Sequence, residues 1–193
     1  MTEALRTRLL LPVKPPISPC TACGAYPELG HEDTCRGAER RWIIRHNQVT
    51  RAFTTTLSSR EDLKVESEPT PATSATSAPV NSQRPDFSVL IGTSRHYYDV
   101  QIVAINKDSA REEAYATLSE AARAKQLKYS ALGPVFHPLI LSAGGLMEKE
   151  TAKAYKALQD LLGPSRAKWL DSYIASTLTQ ARGIAATSIL VRK

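Results

Sequence analysis

Four residues near the start of the chain are of the type and spacing that grip a soft divalent cation. In "CTACGAYPELGHEDTC", Cys20, Cys23, His31 and Cys35 form a C-x2-C-x7-H-x3-C array, and these three cysteines are the only ones in the chain. Two thiolates two residues apart can hold one tetrahedral Zn²⁺, and a His and a third Cys from a returning segment complete the shell. A closed four-ligand shell leaves no open position for substrate, so such a site holds structure rather than chemistry. A second constellation lies in "PDFSVLIGTSRHYYD", which carries Asp86 at one end and Asp99 at the other. Between them an alternating apolar run, a Gly92-Thr93 turn signal and a second strand-like run read as a hairpin. With a two-residue turn, Ile91 faces Ser94 and the register sets Asp86 opposite Asp99. Opposed residues on antiparallel strands share a face with Cβ atoms roughly 4.5–5.5 Å apart. Two carboxylates that close repel unless a cation lies between them or one is protonated, and an oxygen-ligated Mg²⁺ fits the space. Spacing alone leaves ordinary solvent-exposed aspartates as an equal alternative.

The elements around these residues follow from periodicity. Trp42, His46, Val49, Phe53 and Leu57 recur at spacings of three and four, which predicts a helix over 39–57 with one buried stripe. Arg36, Arg40, Arg41, Arg45 and Arg51 fall off that stripe, as a solvated face or as contacts to nucleic-acid phosphate. His46 projects with the apolar residues, where a core histidine is the simpler reading. A short strand is expected over 63–66, and Glu66 or Glu68 offers a further acid. Residues 69–82, "PTPATSATSAPVNS", carry no charge and almost no packing residues, so they read as a flexible insertion. After the hairpin come a β-prone stretch over 100–105, a helix over about 109–129, and an apolar strand in "PVFHPLILSAGG". A helix ending at Gly163-Pro164 follows, then a last helix capped by Ser165.

Composition bounds the setting. The chain has 193 residues, 42% of them hydrophobic, and no apolar run near the ~18 residues that span a membrane. The start shows no signal-peptide pattern, so a soluble intracellular protein is expected. A formal charge of +6 suits a polyanionic partner without choosing among nucleic acid, acidic protein and lipid.

Taken in order, "CTAC…HEDTC", "RHN" at Arg45 to Asn47, "RPD" at Arg84 to Asp86, "YYDV" around Asp99 and "AARAKQLKY" ending at Tyr129 resemble the C-terminal region of site-specific LINE-type retrotransposon proteins. There a CCHC zinc motif precedes a restriction-like endonuclease domain of the PD-(D/E)xK type. The resemblance covers roughly 20–162. It implies an α/β fold, a restriction-endonuclease-like αβββαβ core with a small mixed sheet flanked by helices. It divides the chain into an arm with a zinc knuckle (1–37), the endonuclease domain (38–162) and a helical extension (163–193). It also implies metal-dependent nicking of target DNA, with Asp86, Asp99, Lys125 and Lys128 catalytic. Asp86 and Asp99 would hold Mg²⁺ or Mn²⁺, and Arg41, Arg45, His46, Arg84 and Tyr129 would contact nucleic acid. DNA is the implied partner, with RNA as a second, in a nuclear or other intracellular setting. A reverse transcriptase domain of a parent polypeptide would be the working companion, because the chain has no room for a polymerase.

Two departures from the family pattern stand out. The strand motif reads Asp99-Val100-Gln101 where D/E-x-K is usual, so the lysine must come from the following helix, as it does in the family resembled. Helix phase then favours Lys125, which shares a stripe with Ala114, Leu118, Ala122 and Tyr129, over Lys128, displaced towards the rim. The insertion is the other departure. A catalytically inactive zinc-containing nucleic-acid-binding module is the alternative.

Overall fold

The structure is a computed structural model that describes residues 19–26, 30–35, 39–71, 84–105 and 114–190, with backbone alone for 39, 40 and 187–190. The first eighteen residues, Arg36 and nearly all of the expected insertion lie outside the described residues.

The hairpin forms where its turn signal stands. Strand β2 (Phe87–Ile91) and strand β3 (Ser94–Val103) pair antiparallel with Ile91 facing Ser94, and the intervening Gly92 takes φ 60°. Primed hairpin turns need that left-handed conformation, which glycine adopts without steric cost. Strand β1 (Lys64–Ser67) lies antiparallel on the outer side of β2. Strand β4 (Phe136–Ser142) lies parallel to β3, so the chain must cross over between them, and helix α3 (Ala114–Lys128) supplies the crossover. The result is a small mixed sheet in the order β1-β2-β3-β4.

Alternation along the strands divides two apolar layers. Phe87, Val89, Tyr98, Val100, Leu139 and Leu141 pack on one face against helix α2 (Glu39–Ser58), helix α4 (Lys149–Leu162) and helix α5 (Pro164–Leu190). Phe53 of α2 centres this layer, stacked 5.7 Å from Phe87 and edge-on to Tyr155 at the same separation. Full burial of such a ring stabilises by about 1.5–3 kcal/mol. On the other face Val103 and Ile140 meet Leu118 and Ala122 of α3. The sheet is therefore flanked by helices on both sides, in the α-β-β-β-α-β order read from the sequence. Helix α5, read there as an extension, contributes Leu170, Ile174 and Leu178 to the same core as Phe53.

The last two helices join at one residue. Glu148 caps α4 by accepting from the backbone N–H groups of Glu150 and Thr151, at 2.7 and 2.9 Å. Gly163 at φ 75° ends α4, and its carbonyl accepts the first bond of α5 from Ala167 at 2.9 Å. Pro164 occupies the first helical position, where its missing N–H costs nothing. Ser165 therefore lies inside α5 and does not cap it. Among the described residues no helix is long and apolar enough to cross a membrane.

Candidate metal centre and carboxylate site

Cys20 and Cys23 flank a tight turn, and His31 and Cys35 lie at the two ends of the four-residue helix α1 (His31–Thr34), which brings all four ligand atoms within 4.8 Å of one another. Cys20 Sγ lies 3.7 Å from Cys35 Sγ, and Cys23 Sγ lies 3.4 Å from His31 Nε2. A tetrahedral zinc with bonds of about 2.3 Å to sulfur and 2.0–2.1 Å to nitrogen requires edges of about 3.8 and 3.5 Å. The cluster is thus close enough to bind a metal such as zinc. Burial raises the Cys20 thiol, but the Ala22 amide bonded to its sulfur at 3.4 Å, with His31 and Cys23 beside it, brings it down to about 6. Thiolate is the form a metal takes.

Between its two ligands α1 carries Glu32 and Asp33, and both point into the protein. Asp33 Oδ1 accepts from Arg45 Nη1 of α2 at 2.7 Å, and Asp33 Oδ2 lies 3.0 Å from Arg182 Nη2 of α5. Arg182 Nε lies 3.8 Å from Glu32, whose carboxyl is raised by burial and by neighbouring Asp33. Arg45, expected to meet phosphate, is only 6% exposed and spent on this network. Trp42, expected in the buried stripe of α2, is 58% exposed. The stripe instead runs Arg45, Val49, Ala52, Phe53, Thr56, Leu57. Arg45 turns inward because Asp33 meets it there.

The carboxylate site forms where β2 stops and β3 continues. Their ladder ends at Phe87 opposite Tyr98, and one step beyond lie Asp86 and Asp99. With no strand alongside, the Val100 N–H donates to Asp86 Oδ2 at 2.6 Å, and the Val100 carbonyl accepts from His46 Nε2 at 3.0 Å. His46 Nε2 also lies 3.1 Å from Asp86 Oδ2, while its Nδ1 lies 3.1 Å from Asn47 Oδ1. All three partners accept, which suits an imidazolium with two N–H donors. The Asp86 hydrogen bond, against the opposing effect of burial, raises His46 to about 9. Among the described residues Asp86 Oδ1 has no hydrogen-bond partner.

Asp99 is 4% exposed. Its Oδ2 lies 2.5 Å from Lys125 Nζ, and its Oδ1 accepts from the Tyr129 hydroxyl at 2.7 Å. That hydroxyl also lies 2.9 Å from the Arg84 carbonyl, and burial, then Asp99, raises the phenol well above its usual range. Lys125 faces the sheet in phase with buried Leu118 and Ala122, as the helix period predicts. Lys128 is exposed, with Nζ 3.1 Å from the Tyr129 hydroxyl and 4.7 Å above its ring. Each carboxylate therefore has its own cation, His46 for Asp86 and Lys125 for Asp99. Apart from Asp86 Oδ1, each carboxylate oxygen is already engaged: Asp86 Oδ2 by His46 and the Val100 N–H, Asp99 Oδ1 by Tyr129 and Asp99 Oδ2 by Lys125.

The remaining sequence-derived residues separate. Glu66 stands on edge strand β1 in an ion pair with Arg95, away from the pair of acids. Glu68 touches the site through its backbone, its N–H donating to the Asp86 carbonyl at 2.9 Å. Arg41 bonds the Ala185 carbonyl at 3.3 Å, Arg84 is exposed beside Pro85, and Tyr129 is buried behind Asp99. The pairing of His46 with Asp86 was not read from the sequence, although its place on the inward side of α2 carried the signal. Comparison of the chain with protein-family models and with curated proteins gives no match.

Proposed function

We propose that this chain is a restriction-like endonuclease domain that nicks DNA by metal-dependent phosphodiester hydrolysis, with a structural zinc held by Cys20, Cys23, His31 and Cys35. The observation that carries the reading is the contact of Lys125 Nζ with Asp99 Oδ2 at 2.5 Å, with Asp86 one step past the ladder on the neighbouring strand. Two carboxylates and a lysine converging from a strand pair and the following helix are what hydrolysis of a phosphodiester needs. Mg²⁺ or Mn²⁺ bound by Asp86 and Asp99 would polarise the scissile phosphate and lower the pKa of a bound water. Tyr129 and the Val100 amide fix the two carboxylates, His46 balances Asp86, and Lys125 offsets negative charge growing on the phosphate. Lys128 and Arg84, both exposed, would contact phosphate. The context is the target-primed integration of a retrotransposon in a nuclear setting, alongside a reverse transcriptase domain.

A second reading, a zinc-containing nucleic-acid-binding module without catalysis, is favoured by one observation: both carboxylates are already neutralised by protein cations. Incubation of the zinc-loaded protein with supercoiled plasmid and Mg²⁺ or Mn²⁺ separates the two. Nicked circles that vanish in Asp86→Asn and Asp99→Asn, with DNA affinity kept, support the nuclease. Binding without nicking in either metal supports the module.

A further inference from the structure

Beyond Val100 no strand among the described residues pairs with the β2 side of β3. Backbone groups alternate in direction along a strand, and since Val103 accepts from Ala143 on the β4 side while Val100 points to Asp86, the N–H and C=O of Ile102 point to the open edge. Helix α2 runs beside that edge. Four residues of helix, about 6 Å, separate His46 at Val100 from Trp42, which matches the ~6.6 Å from Val100 to Ile102. A cleft of about 370 Å³ opens there, with Trp42, Arg41 and Arg45 on one side and Gln101, Ile102 and Val103 on the other. That volume falls in the ~300–1,000 Å³ range of small-ligand sites. Most of its charged groups pair within the protein, Arg45 with Asp33 and Arg41 with the Ala185 carbonyl. The half-buried Gln101 amide, by contrast, makes no hydrogen bond among the described residues.

We propose that this cleft takes an unpaired nucleobase of single-stranded nucleic acid, stacked on Trp42 with its polar edge towards Gln101 and the backbone of Ile102. The proposal rests on the nucleic-acid reading of the chain. An exposed aromatic offers its face only to a base that has left its own stack, and an open donor-acceptor edge beside it suits a base edge. The acids Glu32 and Asp33 also line the cleft, but Arg45 and Arg182 neutralise them. Gln101 lies two residues along β3 from Asp99 on the same face, about 7 Å from the carboxylate site. A base lodged there would hold an opened strand close to the acids.

The chain has two tryptophans, so a Trp169→Phe background leaves Trp42 as the only indole reporter. The zinc-loaded protein is titrated, without added Mg²⁺, with a mixed-sequence 12-mer oligonucleotide and separately with its duplex. The single strand quenches Trp42 fluorescence by more than half, and the duplex changes it little. In the full chain Trp42→Ala weakens single-strand binding roughly tenfold, as loss of one base-aromatic stack should, and leaves duplex affinity within twofold. Trp42→Phe retains most of the single-strand affinity, which excludes a folding defect as the cause. Equal quenching by duplex, or binding of single strand without quenching, overturns the proposal while leaving a nucleic-acid-binding protein. Quenching that grows with protein concentration alone makes the face a contact between copies of the chain and overturns it. Absence of binding to either form overturns the nucleic-acid reading as well.

Discussion

Lys125→Met removes the cation nearest Asp99 while keeping an unbranched side chain against the sheet. Breaking a fully buried ion pair by deleting one partner costs about 3–5 kcal/mol, because the other charge is left uncompensated. Here the Asp99 side chain is 5% exposed but that of Lys125 is 22%, and the Tyr129 bond to Oδ1 survives the change. The expected loss is therefore about 2–4 kcal/mol. For a chain of this size that lowers Tm by roughly 4–16 °C. The loss should shrink when Mg²⁺ is added, since an ion binding the folded site stabilises it by mass action and no longer competes with a lysine for Asp99 Oδ2. Urea denaturation of parent and variant, each with and without 10 mM Mg²⁺, reads both effects, and a plasmid assay reads nicking, which should be almost abolished. A variant as stable as the parent would mean that the pair does not form in solution. Equal stabilisation of both proteins by Mg²⁺ would refute the competition between ion and lysine.

Purified without chelator, the protein should carry close to one zinc per molecule, and Cys35→Ser should lower zinc content and Tm together, as metal analysis and a thermal melt will show. Arg45→Met should destabilise by about 2–4 kcal/mol in urea, because Asp33 then keeps only Arg182, yet leave the salt dependence of DNA binding unchanged; Arg84→Ala should do the opposite and make the slope of log affinity against log salt shallower by about one unit. His137 lies 2.9 Å from His96, and burial, then that neighbour, holds it below its ordinary value. The unfolded chain then takes up the proton first, so stability should fall as pH drops below about 6.5, and His137→Phe should flatten that acid branch in melts between pH 5 and 8.

What periodicity could reveal depended on whether a residue's neighbours were local. The hairpin register followed from Gly92-Thr93, and the inward aim of Lys125 from its phase with Leu118 and Ala122. Both are fixed within one turn or one helix. The metal cluster was legible because four ligands of the right chemistry stood within sixteen residues. Trp42 and Arg45 were assigned the wrong way round because helical phase fixes an angle about the axis but not where a helix outruns its sheet. Which of the two turned inward was decided by Asp33, an acid with no signal of its own in the local pattern. His46 was legible as an inward-facing residue, but its partner depended on β2 stopping two residues short of the ladder position that would otherwise have satisfied Val100. Ser165 was a reasonable cap until Pro164 took the first position of the helix.

The link from Arg182 to Glu32 and Asp33 spans about 150 residues of chain. During synthesis the knuckle emerges well before Arg182, the arginine that completes its buried ion network, which follows only after the whole sheet and α4. Until then Asp33 has at most Arg45. Long-range closure of this kind slows folding and leaves early segments waiting for late ones. Early metal capture by the nascent knuckle would hold α1 in shape through that wait.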